Sequence, residues 1–314
     1  MGATSGPAAV SARRRRPAPL IAATLVAALA GAAATCAREG GGAPARSAAE
    51  PPGAGPSPAA PAVPASEPSP PASPERLTVR VLAEYPHDPE AFTQGLLLHE
   101  GLAYESTGRY GRSELRRVDP ETGEVLLRRE LPDRLFGEGL ALVPAAAPGG
   151  ASAGDRLIQL TWQDGIALVW DRARLEPLGE LRYPGEGWGL ALDGERLVMS
   201  DGGSWLVFRE PEGFAEISRV QVTLAGRPLA RINELEWAEG ALWANVWGTA
   251  QVVRIDPATG AVTGVADCAE LEARLAPEEV RGIDVLNGIA WWPQRRSFLV
   301  TGKLWPRAFE VVFE

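Results

Sequence analysis

Residues that hold metals or begin nucleophilic chemistry are nearly missing from this chain. Only His87 and His99 occur among 314 residues, and neither stands at a ligand spacing from a cysteine or from paired carboxylates, which argues against a zinc site. A Ser-His-Asp triad fits no better: there is no Gly-x-Ser-x-Gly turn, and His99 falls in the hairpin turn His99-Glu100-Gly101. Cysteine occurs only at positions 36 and 268, so a fold that begins after residue 75 has no internal disulfide. Lysine is scarcer still, since the 31 basic residues include one lysine, Lys303. Positive charge is also short. Residues 1–75 hold four acids and six bases of the 40 and 31 in the chain, which leaves 36 acids against 25 bases beyond them. No basic stripe remains for nucleic acid.

Three segments differ in composition. Within residues 1–36, Arg13 to Arg16 form a basic patch and Pro17 to Thr35 an Ala-rich apolar run, the pattern of a secretory signal. A membrane anchor is the alternative, although small residues make a weak span. Cys36 stands where a bacterial lipoprotein carries its acylated cysteine, while Thr35 before it suits that cleavage poorly. Export to the periplasm or the exterior is expected, with lipidation at Cys36 left open. Residues 37–75 are Ala, Pro, Gly and Ser with few large apolar side chains, too little buried surface to offset chain entropy, and read as a tether. Residues 76–314 are long enough for one sizeable core.

That core region repeats. Five copies of one phrase start at Gly95, Gly139, Gly189, Asn233 and Asn287, spaced 44 to 54 residues apart. Each has an alternating strand, a tight turn, a second strand ending in a polar residue (Ser106, Thr161, Ser200, Asn245, Thr301) and a third strand. The turn Arg-(Val/Ile)-Asp-Pro-x-Thr-Gly recurs at Arg117 and Arg254. This spacing predicts an all-β, five-bladed β-propeller; an antiparallel sandwich or barrel is the rival. Leu77–Tyr85 and Ala308–Phe313 read as terminal strands that share a blade and leave no open edge. One window, Cys268 to Leu275, favours helix and is expected to be a surface excursion. The Pro144–Gly154 insertion reads as a loop.

Candidate chemistry collects at the repeat starts. Glu138 lies between two glycines in Phe136-Gly-Glu-Gly139, where glycine permits close ligand approach and burial would tune a proton carrier; the bland reading is a turn acid in water. Equivalent positions hold Gln94, Trp188, Asn233 and Asn287, a polar set that points to a shared wet pocket. Lys303 offers a charge whose pKa can be moved, unlike arginine; otherwise it is a surface residue. Trp162, Trp188 and Trp247 stand beside these polar ends and would grip a small stem or an amine. Trp170, Trp237, Trp243 and Trp291 read as core.

Longer motifs carry a resemblance. Phe-Thr-Gln-Gly-Leu (92–96), Glu-Ser-Thr-Gly-x-Tyr-Gly-x-Ser (105–113), Phe-Gly-Glu-Gly-Leu (136–140), Gln-Leu-Thr-Trp (159–162) and Gly-Trp-Gly-Leu (187–190) resemble the plant and bacterial type of glutaminyl cyclase. So do Asn-Glu-Leu-Glu-Trp (233–237), Ala-Asn-Val-Trp (244–247), Leu-Asn-Gly-Ile-Ala-Trp (286–291) and Thr-Gly-Lys-Leu-Trp-Pro (301–306). The match runs in order through residues 85–314, departing at Ala191, where Thr is common, and in the longer 144–154 loop. The resemblance implies a five-bladed propeller that converts N-terminal glutamine of peptides or proteins to pyroglutamate and ammonia, without metal or cofactor. Its proton-shuttling acid corresponds to Glu138, and its substrate surroundings to Gln94, Trp162, Trp188, Asn233, Trp247 and Lys303. On that footing Asn233 and Gln94 donate hydrogen bonds to the reacting amide, and Lys303 serves either the oxyanion or Glu138. A monomer is expected. Two other readings stand beside it: a non-catalytic propeller that binds peptides or sugars, and a calcium-dependent lactonase.

Overall fold

The computed structural model describes residues 73–145 and 154–314. The expected signal, Cys36, the tether up to residue 72 and the middle of the 144–154 loop lie outside the described residues.

Five antiparallel meanders make the fold. The first blade holds Thr93–His99, Leu102–Thr107, Glu114–Val118 and Val125–Glu130, and the second Gly137–Val143, Arg156–Thr161, Ile166–Asp171 and Pro177–Arg182. The third holds Leu190–Leu192, Leu197–Ser200, Trp205–Arg209 and Glu216–Gln221. The fourth holds Ile232–Ala238, Ala241–Val246, Gln251–Ile255 and Val262–Asp267. Leu286–Trp292, Ser297–Gly302 and Arg307–Phe313 form the fifth with the early strand Val79–Pro86. The first strand of every blade packs on the first strands of both neighbours, which closes a ring. This is the expected five-bladed propeller.

The burial of each strand follows from its place. Central strands such as Thr93–His99 are buried on both faces, while the outermost strand Val125–Glu130 alternates between half-buried and exposed, the period-two pattern of a half-covered sheet. The recurring turn explains itself chemically. Asp119 Oδ1 accepts the amides of Glu121 and Thr122, and Asp256 Oδ1 that of Ala258. Gly123 and Gly260 follow at φ of 71° and 72°, where L side chains are strained.

Three of the five polar residues at the ends of the second strands join blades, while Thr161 and Thr301 bond to Ile166 O and Arg307 O of their own blade. Ser106 Oγ donates to Glu138 O at 2.5 Å, and Ser200 Oγ to Asn233 O at 2.7 Å. Asn245 Oδ1 accepts from Gly288 N at 3.1 Å. Each such bond runs from one blade to the start of the next. Glycine at those starts has a steric cause: a Cβ on Gly95 would come within 2.6 Å of Leu140 N, and one on Gly139 within 2.5 Å of Trp188 O. Buried Glu234 accepts from Leu96 N and Ile289 N, tying the fourth blade to the first and fifth.

Two expectations need correction. The N-terminal extended segment splits at Thr78: Val79–Pro86 pairs with Arg307–Phe313, but Glu75–Leu77 runs parallel to Val262–Asp267 as a fifth strand of the fourth blade. Thr78 and Glu314 exchange backbone hydrogen bonds of 2.6 and 3.0 Å, and Leu77 packs into the core across Gly264. The helix Ala269–Ala273 is present, yet it is no surface excursion. Cys268, Leu271 and Leu275 bury themselves in the core between the fourth and fifth blades. Burial pushes the Cys268 thiol up to about 12, which leaves it inert near neutrality.

Candidate active site

A cavity of about 470 Å³ opens at the end of the ring where the first strands begin. Gln94, Glu138, Trp188 and Asn233 reach it from the starts of four blades, and Trp162, Trp247 and Lys303 from the ends of second strands. The structure thus brings together all seven residues singled out from sequence. Asn287, the fifth repeat-start residue, lies beneath the cavity and is fully buried. A second cavity of about 240 Å³ lies on the first blade, but its Arg116 is already paired with Glu114 and Asp88 at 2.7 Å each.

Hydrogen bonds run in one direction beneath the floor. Asn233 Nδ2 donates to Asn287 Oδ1 at 2.7 Å, Asn287 Nδ2 to Thr93 O at 3.0 Å and Gln94 Oε1 at 3.4 Å, and Gln94 Nε2 to Glu138 Oε1 at 2.8 Å. Asn233 and Gln94 each spend one of the two N–H donors of their amide in this chain, which leaves the second without an acceptor among the described residues. Asn233 Oδ1 is a buried acceptor with no partner among the described residues. Gln94 also orients Glu138.

The two charged residues are opposite in sign and alike in burial. Glu138 is 4% exposed and so is Lys303, which removes the surface reading for both. Burial drives the Glu138 carboxyl well above its ordinary value; Lys303 pulls it back and Glu186 pushes it further up. Burial lowers the Lys303 ammonium, against the attraction of Glu138 and Asp284. Lys303 Nζ sits 4.9 Å from the centre of the Phe92 ring, a cation–π contact. Among the described residues no carboxylate lies within the 4.0 Å of an ion pair to it.

Aromatic rings form the walls. Trp188 meets Trp247 edge-on at 5.9 Å, and Phe136 meets Trp162 at 5.6 Å and Phe92 at 6.2 Å. Trp247 is 40% exposed and stands at the mouth. The turn that carries Lys303 is held from below by His87, whose Nδ1 lies 2.6 Å from Trp305 O and whose Nε2 lies 3.0 Å from Glu105 Oε1. Glu105 also accepts from Thr93 Oγ1 at 2.7 Å. Burial raises the Glu105 carboxyl, but His87, Arg116 and Thr93 outweigh it and hold it below the ordinary range. Burial lowers the His87 imidazole, but Glu105, the Trp305 carbonyl and Asp88 together outweigh it and raise it above its ordinary value.

Sequence reasoning missed Phe92, Phe136 and Asp284 as cavity residues. The two phenylalanines carried a readable signal, since each stands two residues before a cavity residue of its repeat. Asp284 comes from the long connection between the fourth and fifth blades, where no repeat partner exists to mark it. Among the described residues no group of three or more His, Cys, Asp or Glu could hold a metal ion.

Comparison with known proteins agrees with this arrangement. The glutamine cyclotransferase family matches residues 57–313. The curated glutaminyl-peptide cyclotransferase of Arabidopsis thaliana is 39% identical over 235 residues, covering 74% of this chain and 70% of that protein. The crystal structure of Myxococcus xanthus glutaminyl cyclase superposes with a TM-score of 0.67 at 42% identity, over 77% of this chain and 99% of that one. With the match continuous through all five blades, this chain belongs to the glutamine cyclotransferase family.

Proposed function

We propose that this protein converts N-terminal glutamine of peptides or proteins to pyroglutamate with release of ammonia. One observation carries the reading: a buried carboxyl of raised pKa, Glu138, shares an aromatic-walled cavity with the chain's single lysine. A carboxyl whose pKa burial raises is suited to moving protons to and from an amine near neutral pH. An α-amino group of pKa about 7.7–8.0 is mostly protonated there and must shed a proton to attack.

The reaction is an internal aminolysis. The substrate α-amine bonds to its own side-chain amide carbon while Glu138 takes the proton that the nitrogen sheds. Glu138 then gives a proton to the amide nitrogen, the carbon–nitrogen bond breaks, and ammonia leaves. Negative charge grows on the former amide oxygen and needs a fixed positive partner. Lys303 fits that role better than direct pairing with Glu138, since its ammonium has no acceptor among the described residues. Asn233 Oδ1, also without a partner, would take an N–H of the substrate. Trp162, Trp188 and Trp247 would hold the glutamine side chain curled for attack, an orienting effect worth several kcal/mol.

Incubation with a Gln-initiated dipeptide should release one ammonia per peptide and leave a cyclised product. Binding of the peptide without any ammonia would sink the enzymatic reading and leave a peptide-binding propeller. We further propose that the mechanism needs no metal and that the protein acts as a monomer. Export is also proposed, with lipid at Cys36 to be decided by mass spectrometry of the mature N-terminus.

A further inference from the structure

The third repeat breaks a pattern kept by the first two. Phe92 stands two residues before Gln94 and Phe136 two before Glu138, both rings lining the cavity, whereas Glu186 stands two before Trp188. Glu186 does not line the cavity; it is half-buried at the edge of the wall. Its Oε2 accepts the indole N–H of Trp162 at 2.9 Å and that of Trp188 at 3.1 Å, and its Oε1 accepts Gln163 Nε2 at 3.1 Å. Trp162 directly follows the strand Arg156–Thr161 of the second blade, and Trp188 stands two residues before the first strand of the third, Leu190–Leu192. One carboxylate oxygen therefore joins two walls that come from different blades.

An indole has one donor and no acceptor, so this shared oxygen sets the rotation of both rings. Burial would raise the Glu186 carboxyl, but the bonds from Trp188, Gln163 and Trp162 outweigh it and keep it ionised. Hydrogen bonds to an ionised acceptor are about twice as strong as neutral ones. We propose that Glu186 is a positioning residue that fixes the spacing and tilt of Trp162 and Trp188 around the bound glutamine side chain. The inference rests on the cyclase reading of the cavity.

Steady-state kinetics with a Gln-initiated dipeptide test it. Glu186→Ala should raise KM about ten-fold with a smaller change in kcat, the mark of lost binding rather than lost chemistry. Glu186→Gln keeps an acceptor oxygen, and Gln163 can turn its amide to match, so KM should return to within about two-fold of wild type. In a Trp162→Phe, Trp188→Phe background, which keeps rings but removes both N–H groups, Glu186→Ala should add under about two-fold to KM. If Glu186→Ala proves unstable, Trp162→Phe and Trp188→Phe tested singly should each raise KM. A wild-type KM in Glu186→Ala, or equal defects in the Ala and Gln variants, overturns the proposal. A wild type that releases no ammonia would instead overturn the cyclase reading.

Discussion

Gln94 of the first blade donates to Glu138 Oε1 of the second at 2.8 Å, so the acid is aimed by an amide from a neighbouring repeat. The same amide accepts from Asn287 of the fifth blade, which links carboxyl orientation to ring closure. Gln94→Leu removes a hydrogen bond to a charged group, worth about 1.5–3 kcal/mol, and should lower kcat about 10- to 100-fold. The kcat measured with a Gln dipeptide checks it; an unchanged value would leave Glu138 oriented by other means.

Glu138→Gln should reduce kcat by about 10²–10⁴-fold, the usual contribution of a positioned acid–base group. The fold should survive, because the replacement is neutral and the site is buried. Circular dichroism and the melting temperature, read beside ammonia release, separate lost chemistry from lost structure.

The pH dependence has a defined sign. Glu138 must be ionised to accept a proton, and its pKa is raised, so kcat should climb along a limb well above the carboxylate value of about 4.3. Lys303 is lowered, so an alkaline fall should set in below the lysine value of about 10.4. Lys303→Arg replaces a compact ammonium by a planar fork and should cost about 10²-fold in kcat, as removal of an oxyanion donor does. An acidic limb near 4.3, or normal turnover in the arginine variant, contradicts these roles.

Chelation should not matter. Ammonia release in excess chelator should equal that without it, and loss restored by calcium would favour the lactonase-like alternative.

The buried pair His87–Glu105 makes a separate prediction about stability. Glu105 has a lowered pKa, so its contribution is complete above about 4.3 and is lost as pH falls through its folded value. His87 has a raised pKa, so its contribution is complete below about 6.5 and is lost as pH rises through its folded value. Both contributions are therefore complete between about 4.3 and 6.5, and urea midpoints should be highest there. Glu105→Gln should cost about 3–5 kcal/mol, the effect of breaking a buried ion pair, and should flatten the profile.

Much of this was legible before any coordinates. Repeat starts announce themselves through glycine because neighbouring backbones meet there, as at Gly95 and Gly139. Lys303 was marked by scarcity, and Glu138 by its flanking glycines. Other features were hidden for physical reasons. The direction of the Asn233 amide depends on Asn287, which depends in turn on Thr93 O and Gln94 Oε1. No local pattern encodes that order. Asp284 lies in a connection without repeat symmetry, and Glu186 looks like an ordinary loop acid until two indoles are seen to point at it. The break at Thr78 has its cause at the far end of the chain, in Glu314.

That last contact sets Glu314 beside Thr78, just after the strand Glu75–Leu77. A linker from Glu314 to Glu75, long enough to pass the strand Glu75–Leu77, would turn the propeller into an endless loop. The chain could then be reopened at the exposed hairpin tip Glu100-Gly101, on a circularly permuted frame. Such a protein should keep its cavity, since covalent continuity at the seam is replaced and never crosses the pocket.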